Sequence, residues 1–153
     1  MKAAETRFYV DADILGLAKV LCGLRNDVTF PTFEGGKLHR RLRPPCPVTS
    51  TDVADTIWIP EAARNGWLII SRDAAIQDRR AEINAVRESG ARMVVLIGKD
   101  AGSTWEQLDI IMHRWERIEA ALEEPGPFII ATSRSTWRRV SLTQAPSRQR
   151  VAR

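Results

Sequence analysis

The 153-residue chain has few cysteines, few histidines and no long hydrophobic run. Its two cysteines cannot build the disulfide framework of a small secreted protein. Its two histidines lie at no ligand spacing from a cysteine, which argues against a zinc site. The longest uncharged apolar runs, Trp67–Ile70 and Met93–Ile97, are too short to span a bilayer, and the first residues contain no apolar stretch typical of a secretory signal. We therefore expect a cytoplasmic protein without a membrane segment.

Acidic residues are absent from the end of the chain. Residues 133–153 carry six arginines and no acid, although the whole chain has a net charge of only +4. The remainder, residues 1–132, is thus slightly acidic, and its apolar content is typical of a globular domain. We predict one domain over 1–132 and a basic, partly disordered tail over 133–153, which could contact RNA or an acidic partner.

Apolar runs typical of strands alternate with segments of helical periodicity. This alternation predicts an α/β fold with three layers, in which helices cover both faces of a mostly parallel central sheet. The segment 137–140 resembles a short edge strand, although it falls within the predicted tail. The predicted strands cover 8–10, 28–30, 67–70, 92–97 and 128–131, and the predicted helices cover 14–24, 53–63, 74–89 and 104–122.

Residues 31–51 contain four prolines and two adjacent glycines, and we predict a long exposed loop. Cys46, which lies between prolines, is expected to be exposed or partly exposed. The loop also carries a basic cluster that is either a solvated surface or a contact for RNA phosphates near the catalytic centre. This cluster comprises Lys37, His39, Arg40, Arg41 and Arg43.

Aspartates stand where an open α/β sheet places its ligands. Asp11 follows the first strand and Asp73 follows the strand 67–70, while Asp55 begins the helix before that strand. Ligands of such sheets bind at the carboxyl ends of the strands. Each aspartate alone could equally cap a helix, but the conjunction of all three is more informative.

Carboxylates crowded at one sheet edge repel one another unless a cation is present. Mg²⁺ or Mn²⁺ meets this need, because hard divalent ions prefer carboxylate oxygens and water. Such an ion can activate water for attack on phosphorus. The sequence therefore predicts a metal-dependent phosphodiester-cleaving site, with Asp13 and Asp78 as possible additional ligands.

The segments Val10-Asp11-Ala12-Asp13 and DTIWIPEAARNGWLIISRD (55–73) resemble the PIN-like ribonuclease superfamily, and more narrowly the VapC-type toxins of toxin–antitoxin pairs. The resemblance implies metal binding by Asp11, Asp55 and Asp73, with the Ser71 hydroxyl beside them. It also implies an RNA substrate, and an antitoxin that covers the acidic site with a basic side chain.

Two features depart from the usual PIN-like pattern. Many PIN domains have Ser, Thr or Asn where this chain has Asp13, so Asp13 is either an added ligand or a cap. Many also carry a fourth acidic residue, for which Asp78 is the first candidate and Asp100 the second. Both departures affect the expected number of metal ions more than the class of reaction.

Other residues have two interpretations each. Arg72 either positions an RNA phosphate or is an ordinary surface charge. Trp58, Trp105 and Trp115 fall on apolar helix faces, which predicts core or interface positions. The helix at 103–122 either packs on the sheet or forms a homodimer.

Three alternative functions remain. A receiver domain would use Asp55 as phosphoacceptor and Lys99 nearby, but the segment before Asp55 is proline-rich and not a buried strand. A dehalogenase-type phosphatase would use Asp11 as nucleophile and Asp13 as general acid, but no later acidic pair follows a strand. A non-catalytic PIN-like scaffold that only binds RNA or a partner is the third.

Overall fold

The computed structural model describes residues 1–72 and 80–143. This part of the chain contains eight strands and four α-helices, and they keep the predicted alternation except that β3 and β4 follow β2 directly and β8 follows β7. The helices are α1 (Leu15–Leu24), α2 (Asp55–Arg64), α3 (Arg80–Ser89) and α4 (Thr104–Ala121). The strands are β1 (Phe8–Val10), β2 (Val28–Thr29), β3 (Gly36–Leu38), β4 (Arg41–Arg43), β5 (Leu68–Arg72), β6 (Arg92–Leu96), β7 (Phe128–Thr132) and β8 (Trp137–Arg139).

Six of the strands form one sheet in the order β2-β1-β5-β6-β7-β8. Every pairing is parallel except that of β7 with β8, so the prediction of a mostly parallel sheet is confirmed. β8 is the edge strand predicted near 137–140, and the sheet therefore continues beyond residue 132. β1 pairs directly with β5, although more than fifty residues separate them along the chain.

The alternation of side chains along the strands produces two apolar layers. Phe8 and Val10 of β1 pack with α1 and α4 on one face of the sheet, whereas Tyr9 packs with α2 and α3 on the other. The runs at 68–70, 93–96 and 128–131 are buried on both faces, as expected for parallel strands covered by helices. The three-layer α/β/α architecture is thus confirmed.

The helices α2 and α4 begin differently. The residue before α2 is Ala54, which provides no side-chain cap, and Pro60 lies inside this helix. The Ser103 side chain accepts a hydrogen bond from the Glu106 amide and caps α4.

The segment 31–51 is more ordered than the predicted long loop. It contains a two-stranded antiparallel hairpin, β3–β4, whose turn places the non-glycine residues His39 and Arg40 at positive φ. The chain then returns to the segment that follows β2, where the Thr32 amide donates a hydrogen bond to the Val48 carbonyl at 2.8 Å. This return buries Cys46 in the layer beside Tyr9, so the expectation of an exposed thiol is wrong.

No α-helix among the described residues is both long and apolar enough to cross a membrane. The longest, α4, has 18 residues and alternates buried and exposed positions along its length. Trp115 packs partly against the core, but Trp105 at the start of this helix is exposed and does not belong to the core.

Two glycines give a matched test of this packing. A Cβ at Gly126 would lie 2.0 Å from the Gly90 carbonyl oxygen, whereas a Cβ at Gly23 of α1 meets no atom within 4 Å. We expect Gly126→Ala to lower the free energy of unfolding by about 1–3 kcal/mol, because the two segments must move apart. Gly23→Ala should raise it by about 0.5–1 kcal/mol through helix propensity. Urea unfolding of both variants checks this, and similar effects of the two substitutions would contradict it.

Candidate active site

A cleft of about 390 Å³ opens at the carboxyl end of β1. Its walls come from three parts of the chain: the end of β1 with the turn after it, the segment that returns from the hairpin, and the first turns of α2. Carboxylates and aromatic rings therefore meet in one concavity. The lining residues are Tyr9, Asp11, Ala12, Asp13, Pro31, Val48, Ser50, Thr51, Val53, Asp55 and Trp58.

Asp11 is held by the sheet and by the turn that follows it. Its amide donates to the carbonyl of Ile70 at 2.9 Å, which extends the pairing of β1 with β5 by one residue. Its Oδ1 accepts from the Ala12 amide at 2.6 Å and caps a 3₁₀ turn at Ala12–Ile14. The cap is therefore Asp11 and not Asp13, and this bond restricts the orientation of the Asp11 carboxylate at the cleft.

Asp55 reaches the same cleft as the first residue of α2. Its Oδ1 accepts a hydrogen bond of 2.8 Å from the indole Nε1 of Trp58, one helical turn later. Trp58 is buried and stacks on Tyr9, with ring centroids 5.2 Å apart and planes 21° from parallel. The aromatic packing of the α2 layer thus fixes the donor that holds the Asp55 carboxylate.

The electrostatics of the cleft reflect this crowding. The pKa of Asp11 is raised from 3.8 to about 8, because its carboxyl is desolvated and faces the negative charges of Asp13 and Asp55. A side-chain hydrogen bond with Asp13 favours the protonated form and raises the pKa of Asp11 in the same direction. Burial, with the nearby Cys46, Asp11 and Asp55, raises the pKa of Tyr9 as well, so its phenol stays neutral. Without a cation, the site holds a proton where it would otherwise hold repelling charges.

A family model described as "PIN like domain" matches residues 7–98, which is more than half of the chain and spans β1 to β6. The chain belongs to the PIN-like domain family. The matched part includes Asp11, Asp55 and the aromatic residues between which the cleft lies. Comparison with curated proteins and with solved structures gave no match.

The PIN-like domain brings some of the predicted residues together. Asp11, Asp13 and Asp55 all line the cleft. Ser71 is buried in β5, directly after Ile70, whose carbonyl holds the Asp11 amide. Arg72, the last residue of β5, is exposed at the same end of the sheet. Asp73 and Asp78 lie outside the described residues, and Asp100 belongs to a 3₁₀ turn that follows β6.

The donor chemistry of the cleft suits a hard divalent cation. Asp11, Asp13 and Asp55 supply only carboxylate oxygens, the ligand type that Mg²⁺ and Mn²⁺ prefer. Yet among residues 1–72 and 80–143, no group of three potential ligands is arranged to hold a metal ion. The predicted ligand set includes Asp73, which lies outside these ranges.

The basic hairpin lies far from this cleft. His39 Nε2 is 3.1 Å from the Leu24 carbonyl, and Arg43 donates to the Cys22 carbonyl at 2.6 Å. Both carbonyls are at the carboxyl end of α1, whereas Asp11 precedes its first turn. The ten residues of α1 span about 15 Å. Lys37, Arg40 and Arg41 are exposed residues of the hairpin and do not line the cleft.

Arg43 has an internal role that its sequence context did not reveal. Besides the bond to Cys22, its Nε donates to the Gly36 carbonyl at 3.0 Å, and its guanidinium lies 5.0 Å from the centre of the Phe33 ring. The bond to Cys22 fastens the hairpin to α1, and the contacts with Gly36 and Phe33 hold the hairpin and the segment before it together. The structure therefore gives Arg43 a structural function within the fold.

The fold also bears on the two phosphoryl-handling alternatives. Asp55 begins a helix and does not end a buried strand, which contradicts the position of a receiver phosphoacceptor. Asp11 precedes the 3₁₀ turn and Asp13 lies within it, but the PIN-like family match covers both residues and favours the other interpretation.

Sequence reasoning missed the aromatic support of the site. Apolar periodicity alone predicts core positions for Tyr9 and Trp58, yet both also line the cleft. The contact between Asp55 and Trp58 could be predicted from their spacing, since residues three apart on a helix are neighbours. The stacking of Tyr9 on Trp58 depends on a strand-to-helix contact that no local pattern specifies.

The raised pKa of Asp11 predicts a pH-dependent stability in the absence of metal. Between pH 3.8 and about 8 the folded chain binds a proton at Asp11 that the unfolded chain has released, so stability falls as pH rises through this window. Asp11→Asn keeps an oxygen for the Ala12 amide but removes this titration. We expect the variant to be more stable than wild type by over about 1 kcal/mol one unit above that pKa, and equally stable below the lower pKa.

Urea unfolding in chelator across this pH range measures the difference. Asp52→Asn is the matched control, because Asp52 is exposed, lies three residues from Asp55 and does not line the cleft. Parallel stability curves for wild type and Asp11→Asn would contradict the coupling of Asp11 to its neighbours.

The bond between Trp58 and Asp55 predicts an energetic coupling. In a double-mutant cycle, Trp58→Phe and Asp55→Ala should each destabilise, and their effects should be non-additive by about 1.5 kcal/mol, the contribution of a hydrogen bond to a charged group. Trp67 is the control, since it also stacks on Tyr9, at 6.0 Å, but makes no such bond to Asp55. Additive effects for Trp58 and Asp55 would show that the bond contributes nothing.

Proposed function

We propose that this chain is a divalent-metal-dependent endoribonuclease and the toxin of a toxin–antitoxin pair. PIN-like domains are often nucleases, and this membership supports the broad class of activity. The observation that carries the proposal is the meeting of Asp11 and Asp55 in one cleft at the carboxyl end of β1. The assignment as a toxin, and the antitoxin partner that it implies, rest on the resemblance of residues 55–73 to VapC-type toxins.

In this mechanism Asp11, Asp55 and Asp73 hold Mg²⁺ or Mn²⁺, with Asp13 and Asp78 as further carboxylates. The chemistry that the metal supplies when bound is activation of water for attack on phosphorus. Asp11 must give up its proton before it can serve as a ligand, because ligands bind metals in their deprotonated form. Metal binding and RNA cleavage should therefore strengthen as pH rises toward the Asp11 pKa of about 8.

The chain's own residues orient the reactants. Trp58 and the Ala12 amide hold the carboxylates of Asp55 and Asp11, so that they do not need to be ordered when the substrate arrives. Arg72, exposed at the end of β5, is the proposed contact for an RNA phosphate. Hydrolysis adds the oxygen of water to phosphorus and releases the departing ribose oxygen with a proton.

The test is cleavage of a mixed RNA pool by the full chain with Mg²⁺, with Mn²⁺ and with chelator. We expect cleavage only with metal, and a loss of at least about a hundredfold for Asp11→Asn, Asp55→Asn and Asp73→Asn. Asp52→Asn is the control and should retain full activity. Cleavage in chelator, or undiminished cleavage by the three variants, would refute the mechanism.

Two further measurements separate the finer alternatives. RNA binding without cleavage, in a chain that binds Mn²⁺ in a titration, would favour the non-catalytic PIN-like scaffold. For the toxin assignment, production of the chain in a bacterial host should arrest growth, and Asp11→Asn should not. A small protein encoded beside this chain should restore growth; cleavage without growth arrest would instead indicate a housekeeping nuclease.

A further inference from the structure

Tyr9 is a buried phenol at the acidic cleft. Only 1% of the residue is exposed, yet it lines the cleft together with Asp11 and Asp55. The indoles of Trp58 and Trp67 stack on its ring, with centroids 5.2 and 6.0 Å from the centre of the phenol. Because stacking occupies the faces of a ring, the edge that carries the hydroxyl is the part of Tyr9 left to border the cleft.

The Tyr9 hydroxyl makes no hydrogen bond with any residue in the ranges 1–72 and 80–143. Asp11 and Asp55 are close enough for their charges to act on the phenol, but neither accepts its proton. These two carboxylates are held instead by the Ala12 amide and the Trp58 indole. Buried polar groups normally have a hydrogen-bond partner, so a group from outside the chain is the expected partner of this hydroxyl.

The surroundings of the hydroxyl restrict the chemistry of that partner. Tyr9 has a proton to donate, whereas ionised carboxylates such as those of Asp11 and Asp55 only accept. A group that lies between them must therefore accept one hydrogen bond and donate another. A phosphate oxygen cannot donate, and its charge adds to the repulsion in the cleft. An amino group on a base donates without accepting, but an alcohol hydroxyl does both.

We propose that Tyr9 is a specificity-determining residue that binds a ribose 2′-hydroxyl of the substrate RNA. The Tyr9 hydroxyl donates to the 2′-oxygen, and the 2′-hydroxyl donates to a carboxylate of the cleft. The inference rests on the proposed function and deepens it, because the 2′-hydroxyl is the group by which a protein distinguishes RNA from DNA at a given site. Tyr9 takes no part in breaking the phosphodiester bond.

The remaining wall of the cleft also suits a sugar. Val48 and Val53 supply apolar surface, and Ser50 and Thr51 supply hydroxyls. No cation is found among the described residues that line the cleft, and Arg72 lies outside that lining. Contacts to phosphates position a nucleic acid without reading its other groups. The positively charged residues and the cleft therefore have separate tasks, and discrimination of the sugar belongs to the cleft.

The test is the binding of a single-stranded RNA and of a DNA with the same bases to the full chain, measured by fluorescence anisotropy in chelator, where no cleavage is expected. Wild type should bind RNA about three- to tenfold more tightly than DNA, which is the contribution of one neutral hydrogen bond. Tyr9→Phe should bind both with the affinity that wild type has for DNA. Thr49→Val is the matched control, because it also removes one hydroxyl, but from an exposed residue that does not line the cleft.

A modified RNA separates recognition of the hydroxyl from recognition of shape. RNA with 2′-fluoro groups keeps the sugar pucker of RNA but lacks the hydroxyl, so wild type should bind it as weakly as DNA. Equally tight binding of 2′-fluoro RNA and RNA would overturn the proposal. So would equal affinities of wild type for RNA and DNA, or an RNA preference that survives in Tyr9→Phe.

The stability of the variant is an independent readout. Tyr9→Phe keeps the ring that stacks on Trp58 and Trp67 and removes a hydroxyl that has no internal partner. Its urea midpoint should therefore equal or exceed that of wild type. A lower midpoint would show that the hydroxyl is satisfied within the chain, which would also overturn the proposal.

The binding measurement does not depend on catalysis, so this inference and the proposed function can fail separately. A chain that prefers RNA through Tyr9 but never cleaves it would support the inference and refute the nuclease. A chain that cleaves RNA with metal, and whose RNA preference is unchanged in Tyr9→Phe, would support the nuclease and refute the inference.

Discussion

The parallel pairing of β1 with β5 is the constraint on which the candidate site depends. Phe8 to Val10 pair with Leu68 to Ile70, and the Asp11 amide adds one more hydrogen bond to Ile70 beyond the strand. This pairing places the carboxyl ends of two strands side by side, so that whatever follows them shares one edge. The crossover between the strands must also return along the α2 layer, and it brings Asp55 to the same edge.

Burial of the strands has an electrostatic consequence at that edge. Tyr9, Trp58 and Val48 exclude water from the floor of the cleft, and this makes the repulsion between Asp11 and its acidic neighbours stronger than it would be in solvent. The same aromatic packing supplies the indole donor that holds Asp55. Stability and site chemistry therefore oppose each other here, because the fold that orders the carboxylates also disfavours their charged forms. Protonation of Asp11 or a bound cation reduces the repulsion between the carboxylates.

The sequence allowed good prediction of the central sheet but not of the segment between β2 and α2. Continuous apolar runs identify β5, β6 and β7, since strands buried on both faces need them. β3 and β4 carry no such run: their sequence Gly36-Lys37-Leu38 and Arg41-Leu42-Arg43 is mostly polar, and their turn uses His39 and Arg40 at positive φ, where glycine or asparagine is usual. Tertiary bonds from Arg43 to α1 stabilise the hairpin, and no local pattern encodes them.

The lack of a local sequence pattern for the hairpin also affects the candidate site, because the hairpin carries the basic residues proposed to contact RNA. The positions of Asp11 and Asp55 could be predicted from strand and helix ends, but the placement of the basic cluster could not, because it depends on where the hairpin docks. The hairpin docks about 15 Å from Asp11, along α1. A stacked strand rises about 3.4 Å per nucleotide along its axis, so a stacked strand that contacts both the cleft and Arg40 or Arg41 covers roughly four or five nucleotides. A substrate shorter than this would reach the carboxylates without the hairpin, which makes the hairpin a contact only for longer RNA.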